Sequence, residues 1–216
     1  MSNQLPSLVI GENTSISDVI NAFEKSSDDL LLIDDRTVVA QPHMELLTDY
    51  PRSSSAALVA VQKNGNTLVR ANRIASASSA SHKVTIGNRD FVGIMRLSQK
   101  QRDAIVKTLN EAAEFNLKGN TLDLVLIALV RATVRVDGVD IWSAPYARSD
   151  DAKVRQSVQN EIANLNIGRL RLSMANRAND GFFSVFVLRK FSKLLTWVAV
   201  RIGATPNQVT TLSFLI

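Results

Sequence analysis

The sequence predicts an α/β layered fold over residues 1–149. Three observations carry that prediction. Short apolar runs of β type alternate with stretches of helical period from residue 8 to residue 140. Residues 30–33 are a continuous apolar run, as expected of a buried strand. The composition, 45% apolar and 21% charged with 9 Gly and 5 Pro, supplies enough apolar surface for a core and fits neither a disordered nor a collagen-like chain.

Taken in order, Leu8-Val9-Ile10 forms a first strand stopped by Gly11. Ser15 or Ser17 caps a helix whose Ile16, Val19, Ile20 and Phe23 fall at helical spacing. Residues 30–33 are a buried strand with Asp34 and Asp35 at its carboxyl end, and residues 42–50 are a short helix. Residues 56–61 form a strand that Asn64-Gly65 turns into a hairpin with residues 67–69. Residues 91–96 run as a strand into Ser98, which caps a helix carrying Ile105, Val106 and Leu109. Residues 121–132 are a strongly apolar helix, and residues 133–141 return as strand. The small polar run 76–81 reads as a flexible loop. Residues 150–181 change character: they are amide-rich and helix-favouring, with Val154, Val158, Ile162 and Leu165 on one stripe, and read as a helical connector. Asp150 and Asp151 suit its N-terminus, where acids meet the positive end of the helix dipole.

Several chemistries are excluded at once. Zero cysteines rule out disulfides, thiol catalysis and Cys-ligated zinc. His43 and His82 are the only histidines, so no His-rich metal set can form, and His82 in its Ser-rich loop has no triad partners nearby. No signal peptide is visible, which predicts a cytoplasmic N-terminal domain.

The net charge of +5 is not spread evenly. Residues 182–216 carry Arg189, Lys190, Lys193 and Arg201 with no acid, or +4 of the total. That stretch is also the most apolar of the chain. On a helix over 182–203, Phe183, Val187, Phe191, Leu194, Val198 and Ile202 lie on one stripe, with Arg189 and Lys193 opposite. Such a helix lies in a membrane interface with its basic heads at anionic lipid phosphates, and Arg201, beside the stripe, must snorkel. A core helix is the alternative. Charge clustered among apolar side chains argues against nucleic acid as the partner. After Gly203, Thr205 as N-cap and Pro206 at the first helical position open a new apolar helix at 204–216. Its length falls short of the roughly 20 residues a span needs, so the chain reads as the front part of a longer membrane protein.

The segment 189–210, with Arg201-Ile202-Gly203-Ala204-Thr205-Pro206-Asn207-Gln208-Val209-Thr210, resembles the lead-in to the first transmembrane helix of the CDP-alcohol phosphatidyltransferase family. The resemblance implies a cell-membrane protein of phospholipid biosynthesis, which transfers a phosphoryl-alcohol group from a CDP-activated donor to an alcohol and releases CMP. It also implies a divalent metal, Mg or Mn, in the full-length protein. Asn207 and Thr210 would then contact the donor's nucleotide head group, with helix start and packing as their other role. Arg189, Lys190, Lys193 and Arg201 would contact lipid phosphates. The family's D-x-x-D-G-x-x-A-R signature is absent, since Asp137-Gly138 and Asp180-Gly181 lack its flanking residues, so no catalytic residue is assigned in this chain.

The body, through Leu30-Leu31-Leu32-Ile33-Asp34-Asp35, Phe91-Val92-Gly93-Ile94-Met95-Arg96-Leu97-Ser98 and Val139-Asp140-Ile141-Trp142, resembles a nucleotidyltransferase-like, Rossmann-type layered domain. That resemblance puts Asp34 and Asp35 where such folds hold magnesium, against a solvated acidic turn as the other reading. The Gly-rich phosphate loop of working nucleotidyltransferases is missing: Gly11 is followed by Glu12, and no two glycines lie closer than six positions apart. The leading expectation is therefore a catalytically silent α/β domain ahead of a phosphatidyltransferase. The alternatives are a peripheral membrane module that binds a nucleotide or a partner, and an active cytidylyltransferase. Anionic lipids and the CDP donor are the expected partners, and a homodimer is an open option.

Overall fold

A computed structural model describes residues 5–79, 83–115, 117–141, 144–168 and 170. The chain divides into two compact units, Met1–Leu165 and Asn166–Ile216. The first takes in the helix that the sequence reading set at the start of a connector.

A seven-stranded mixed sheet organises the first unit. Its strands are β1 (Ser7–Ile10), β2 (Leu30–Asp34), β4 (Ser55–Val61), β5 (Thr67–Arg70), β6 (Arg73–Ala77), β7 (Arg89–Leu97) and β8 (Val136–Asp140). The order is β1-β2-β7-β4-β8-β6-β5. β1 and β2 are parallel, as are β4 and β8, while β7 runs antiparallel to both of its neighbours. A ribbon of β3 (Thr37–Val39) and β9 (Tyr146–Arg148) forms a separate two-stranded sheet.

Helices α1 (Ile16–Lys25), α3 (Arg102–Glu114) and α4 (Thr121–Arg131) pack on one another, and α4 reaches the sheet. α2 (Gln41–Asp49) packs on β4 and β7, and α5 (Ala152–Ala163) on β3 and β9. Alternate side chains of the central strands therefore go to different layers. Ala57, Val59, Phe91 and Met95 join the core with α1, α3 and α4, while Ala56, Leu58, Val92 and Ile94 are buried outside that cluster. This double coverage explains the continuous apolar runs.

Local signals match several elements. Ser15, rather than Ser17, caps α1 in a reciprocal box with Asp18, and Ile16, Val19, Ile20 and Phe23 are its buried face. Asp151 caps α5 through the Lys153 amide at 2.8 Å. Val158, Ile162 and Leu165 are half-buried, whereas Val154 is exposed.

Other expectations are corrected. Asn64 does adopt a left-handed φ of 60°, but β4 pairs with β7 and β8, so no β4–β5 hairpin forms. The hairpin is β5–β6, closed by Ala71 and Asn72 with φ of 46° and 61°, the two positive values a type I′ turn demands. Ser76 and Ala77 belong to β6 rather than to a loop. β8 begins at Val136 because residues 132–133 form a turn, with Thr133 at φ 59°. No helix among the described residues is long and apolar enough to cross a membrane.

Candidate functional site

The loops that leave β1 and β2 at their carboxyl ends open side by side, because these strands are parallel neighbours in register from Ser7↔Leu31 to Ile10↔Asp34. A cleft of about 790 Å³ lies there. Gly11, Glu12, Asn13 and Thr14 line it from the β1–α1 loop, and Asp35 and Arg36 from the turn after β2. Gly119, Asn120 and Thr121 come from the start of α4, and Asp150 and Arg155 from the start of α5. In open α/β sheets this end of the strands is where ligands bind.

The β1–α1 loop is short and closed on itself. The Thr14 amide donates to the Gly11 carbonyl at 3.1 Å, and the Gly11 amide donates to the Thr14 hydroxyl at 3.0 Å. The Ser15 amide is held by Asp18 at 2.9 Å. Three amides that an open phosphate loop would offer to a ligand are thus engaged within the chain.

Asp34, 0% exposed, is the hub of the wall behind the cleft. Its Oδ1 accepts from the Arg36 amide at 3.0 Å and from Arg36 Nε at 2.9 Å. Its Oδ2 accepts from Arg36 Nη2 at 2.9 Å, Arg148 Nε at 2.8 Å and Asn120 Nδ2 at 3.2 Å, with Arg148 Nη2 at 2.7 Å. Arg36 continues to Asp150 at 3.0 Å, and Arg148 to Asp123 at 2.7 Å and Asn120 Oδ1 at 3.1 Å. Burial alone would push the Asp34 carboxyl up, but the hydrogen bonds from Arg36 and the charge of Arg148 outweigh it and hold the group at about 2. The same contact with Asp34 raises Arg36.

Gly93 makes room for this hub. It sits at φ +93° where the β4–β7 register slips, Ala57 facing Met95 but Val59 facing Phe91. A Cβ there would strike Thr37 Oγ1 and come within 2.8 Å of Arg148 Cδ. Only a glycine lets the β3–β9 ribbon approach β7 this closely. Arg148 then stacks 5.2 Å from the centre of the Phe91 ring.

Of the two carboxylates expected to hold magnesium, only Asp35 faces the cleft. Asp34 has no free acceptor site, since guanidinium, amide and backbone donors take both of its oxygens. Among the described residues no three His, Asp or Glu side chains group to hold a metal. Asp34 does not fit as a ligand of a divalent cation, so Asp35 is the one carboxylate of the pair with lone pairs to spare. Asp35 is exposed and has no ion-pair partner among the described residues, and its carboxylate lies against Gly11. Arg148, Asn120 and Arg155 were not singled out in the sequence. A three-residue strand and a capping asparagine leave no periodic signal, and Asn120 and Arg148 reach Asp34 across 86 and 114 positions, whereas Arg155 bonds the carbonyls of Ser149 and Asp150 close by in the chain. Asn207, Thr210, Arg189, Lys190, Lys193 and Arg201 lie outside the described residues, as do His82, Trp142 and both helices expected over 182–216.

No protein-family profile and no curated protein matches the sequence. Solved structures do. CTP:phosphocholine cytidylyltransferase from Streptococcus pneumoniae is similar with a TM-score of 0.52 at 10% identity, over 69% of this chain and 64% of that one. Inositol-1-phosphate CTP transferase from T. maritima is similar with a TM-score of 0.49 at 14% identity, over 68% of this chain and 62% of that one. The aligned part of this chain spans less than two thirds of either protein. At such identity the likeness concerns the fold, and the body has a nucleotidyltransferase-like α/β fold.

Proposed function

We propose that the body is a nucleotide-binding domain of the nucleotidyltransferase type, with a cytidine nucleotide as its ligand, and that it binds without transferring. The observation that carries this is that Arg36 and Arg155 both line the polar cleft at the β1 and β2 carboxyl ends, beside Glu12, Asp35 and Asp150. Guanidinium groups match phosphate oxygens in charge and geometry. Cytidine is favoured because the similar pneumococcal enzyme is a CTP:phosphocholine cytidylyltransferase. Binding without transfer is favoured by the closed β1–α1 loop and by the engagement of Asp34 with two arginines.

An active cytidylyltransferase is the second reading, and the same likeness favours it. It would join CMP from CTP to a phosphorylated alcohol and release pyrophosphate. For the described body this reading has more support than phosphatidyl transfer, for which the chain holds no catalytic signature. The CDP-alcohol phosphatidyltransferase reading rests on residues 189–210. In it, the cytidine-binding domain belongs to a membrane enzyme that uses a CDP-activated donor and a divalent metal, with anionic lipids as partners of the basic tail.

Calorimetric titration of the full chain in non-ionic detergent with CTP, CDP and ATP tests the proposal. Saturable binding of the cytidine nucleotides, tighter than that of ATP, is expected. Incubation with CTP and phosphocholine or inositol 1-phosphate should release no pyrophosphate. Release that disappears in Asp35→Ala would promote the second reading. Absence of binding to all three nucleotides would refute both.

A further inference from the structure

We infer that the cleft takes the nucleotide's phosphates without a divalent cation: the Arg36 guanidinium, locked by Asp34, stands in for the metal, and Asp150 occupies Arg36 until a phosphate displaces it. This rests on the nucleotide reading above and specifies how the ligand's charge is met.

A divalent ion at the end of β2 would have Asp35 alone to hold it unless it found lone pairs on Asp34. That carboxylate already receives six donors between 2.7 and 3.2 Å, from Arg36, Arg148 and Asn120. The same contacts fix Arg36 in a single orientation, since its amide, Nε and Nη2 all bind Asp34. What remains is Nη1, directed to the Asp150 carboxylate at 3.0 Å. The two partners differ sharply in hold. Asp34 is 0% exposed, whereas the Asp150 side chain is 85% exposed and makes no other ion pair among the described residues. An exposed carboxylate on one guanidinium nitrogen is a weak contact. A phosphate brings more negative charge and more acceptor oxygens to the same nitrogen. Arg155 stands on the same cleft, anchored by its Nη1 to the Ser149 and Asp150 carbonyls at 2.6 and 3.0 Å. Those bonds run to the backbone, so Arg155 can stay in place when the Asp150 side chain swings away.

Titration of the full chain with CTP, in EDTA and again in excess Mg²⁺, reads this directly. The expected result is binding in EDTA at least as tight as in Mg²⁺, because magnesium withdraws charge from the triphosphate. Asp150→Asn should bind CTP about two- to fivefold more tightly, the size of one exposed ion pair removed as a competitor. Arg36→Gln should bind at least about tenfold more weakly, with a thermal melt run beside it to show that it is folded. Asp150→Asn lies at an exposed position and keeps the test decisive if Arg36→Gln does not fold. Binding that requires Mg²⁺, or an Asp150→Asn affinity equal to or weaker than that of the parent, overturns the inference and leaves the nucleotide reading standing. No CTP binding in either condition overturns both.

Discussion

Replacing Asp34 with asparagine keeps the volume of the side chain but removes the charge on which Arg36 and Arg148 converge. It also puts an amide donor among nitrogen donors. The native carboxyl sits at about 2 instead of 3.8, and at about 1.4 kcal/mol per unit this corresponds to roughly 2 kcal/mol of stability at neutral pH. Losing an acceptor to the amide adds to that. Arg148, with its side chain 13% exposed, keeps Asp123, so the loss stays below that of a buried charge left wholly unpaired. The expected destabilisation is about 2–4 kcal/mol. Its pH dependence has a definite sign. A depressed carboxyl stabilises fully above its unfolded value and loses that contribution as pH falls from about 4 to about 2. The parent should therefore approach the variant over that interval. Urea unfolding of both proteins, followed by circular dichroism at neutral pH and at about pH 2.5, measures the gap. Equal midpoints at neutral pH would refute the account, as would a gap that does not narrow with acid.

Gly93→Ala should cost about 2–4 kcal/mol, because a Cβ at φ +93° meets Thr37 and Arg148; a calorimetric melt checks this, and CTP binding should weaken with it as Arg148 shifts. Arg96, 0% exposed, donates to the carbonyls of Leu47, Thr48, Tyr50, Pro51 and Ser54 and lies 3.3 Å from Asp29. Arg96→Lys offers three donors to five carbonyls, so a loss of about 3 kcal/mol or more is expected in urea titration. For the tail, Arg189→Glu with Lys193→Glu should cost about 2–4 kcal/mol of binding to anionic vesicles and little to neutral ones. Phe191→Ser with Leu194→Ser should weaken both, and sedimentation with vesicles of each composition separates the two outcomes.

Much of the layered body follows from local pattern. The box between Ser15 and Asp18 and the four-residue stripe of α1 act over one or two turns, so they are legible as text. The continuous run of residues 30–33 in β2 likewise announces a buried strand. Pairing is not local. Asn64-Gly65 has the chemistry of a hairpin turn, yet β4 finds better-buried partners in β7 and β8. The hairpin forms instead at Ala71-Asn72, where Ala71 carries no turn signal.

The same division separates the two aspartates after β2. The sequence by itself placed Asp34 and Asp35 at a strand's carboxyl end and showed that the loop after the first strand is poor in glycine. Which of them faces the cleft was decided by the tertiary structure alone. Asp34 is the buried last residue of β2, while Asp35 lies exposed in the turn that follows. Gly93 then lets the β3–β9 ribbon bring Arg148 onto Asp34 from 114 positions away. A carboxylate's chemistry depends on which charges stand within a few ångströms of it, and that distance exists only once the chain has folded.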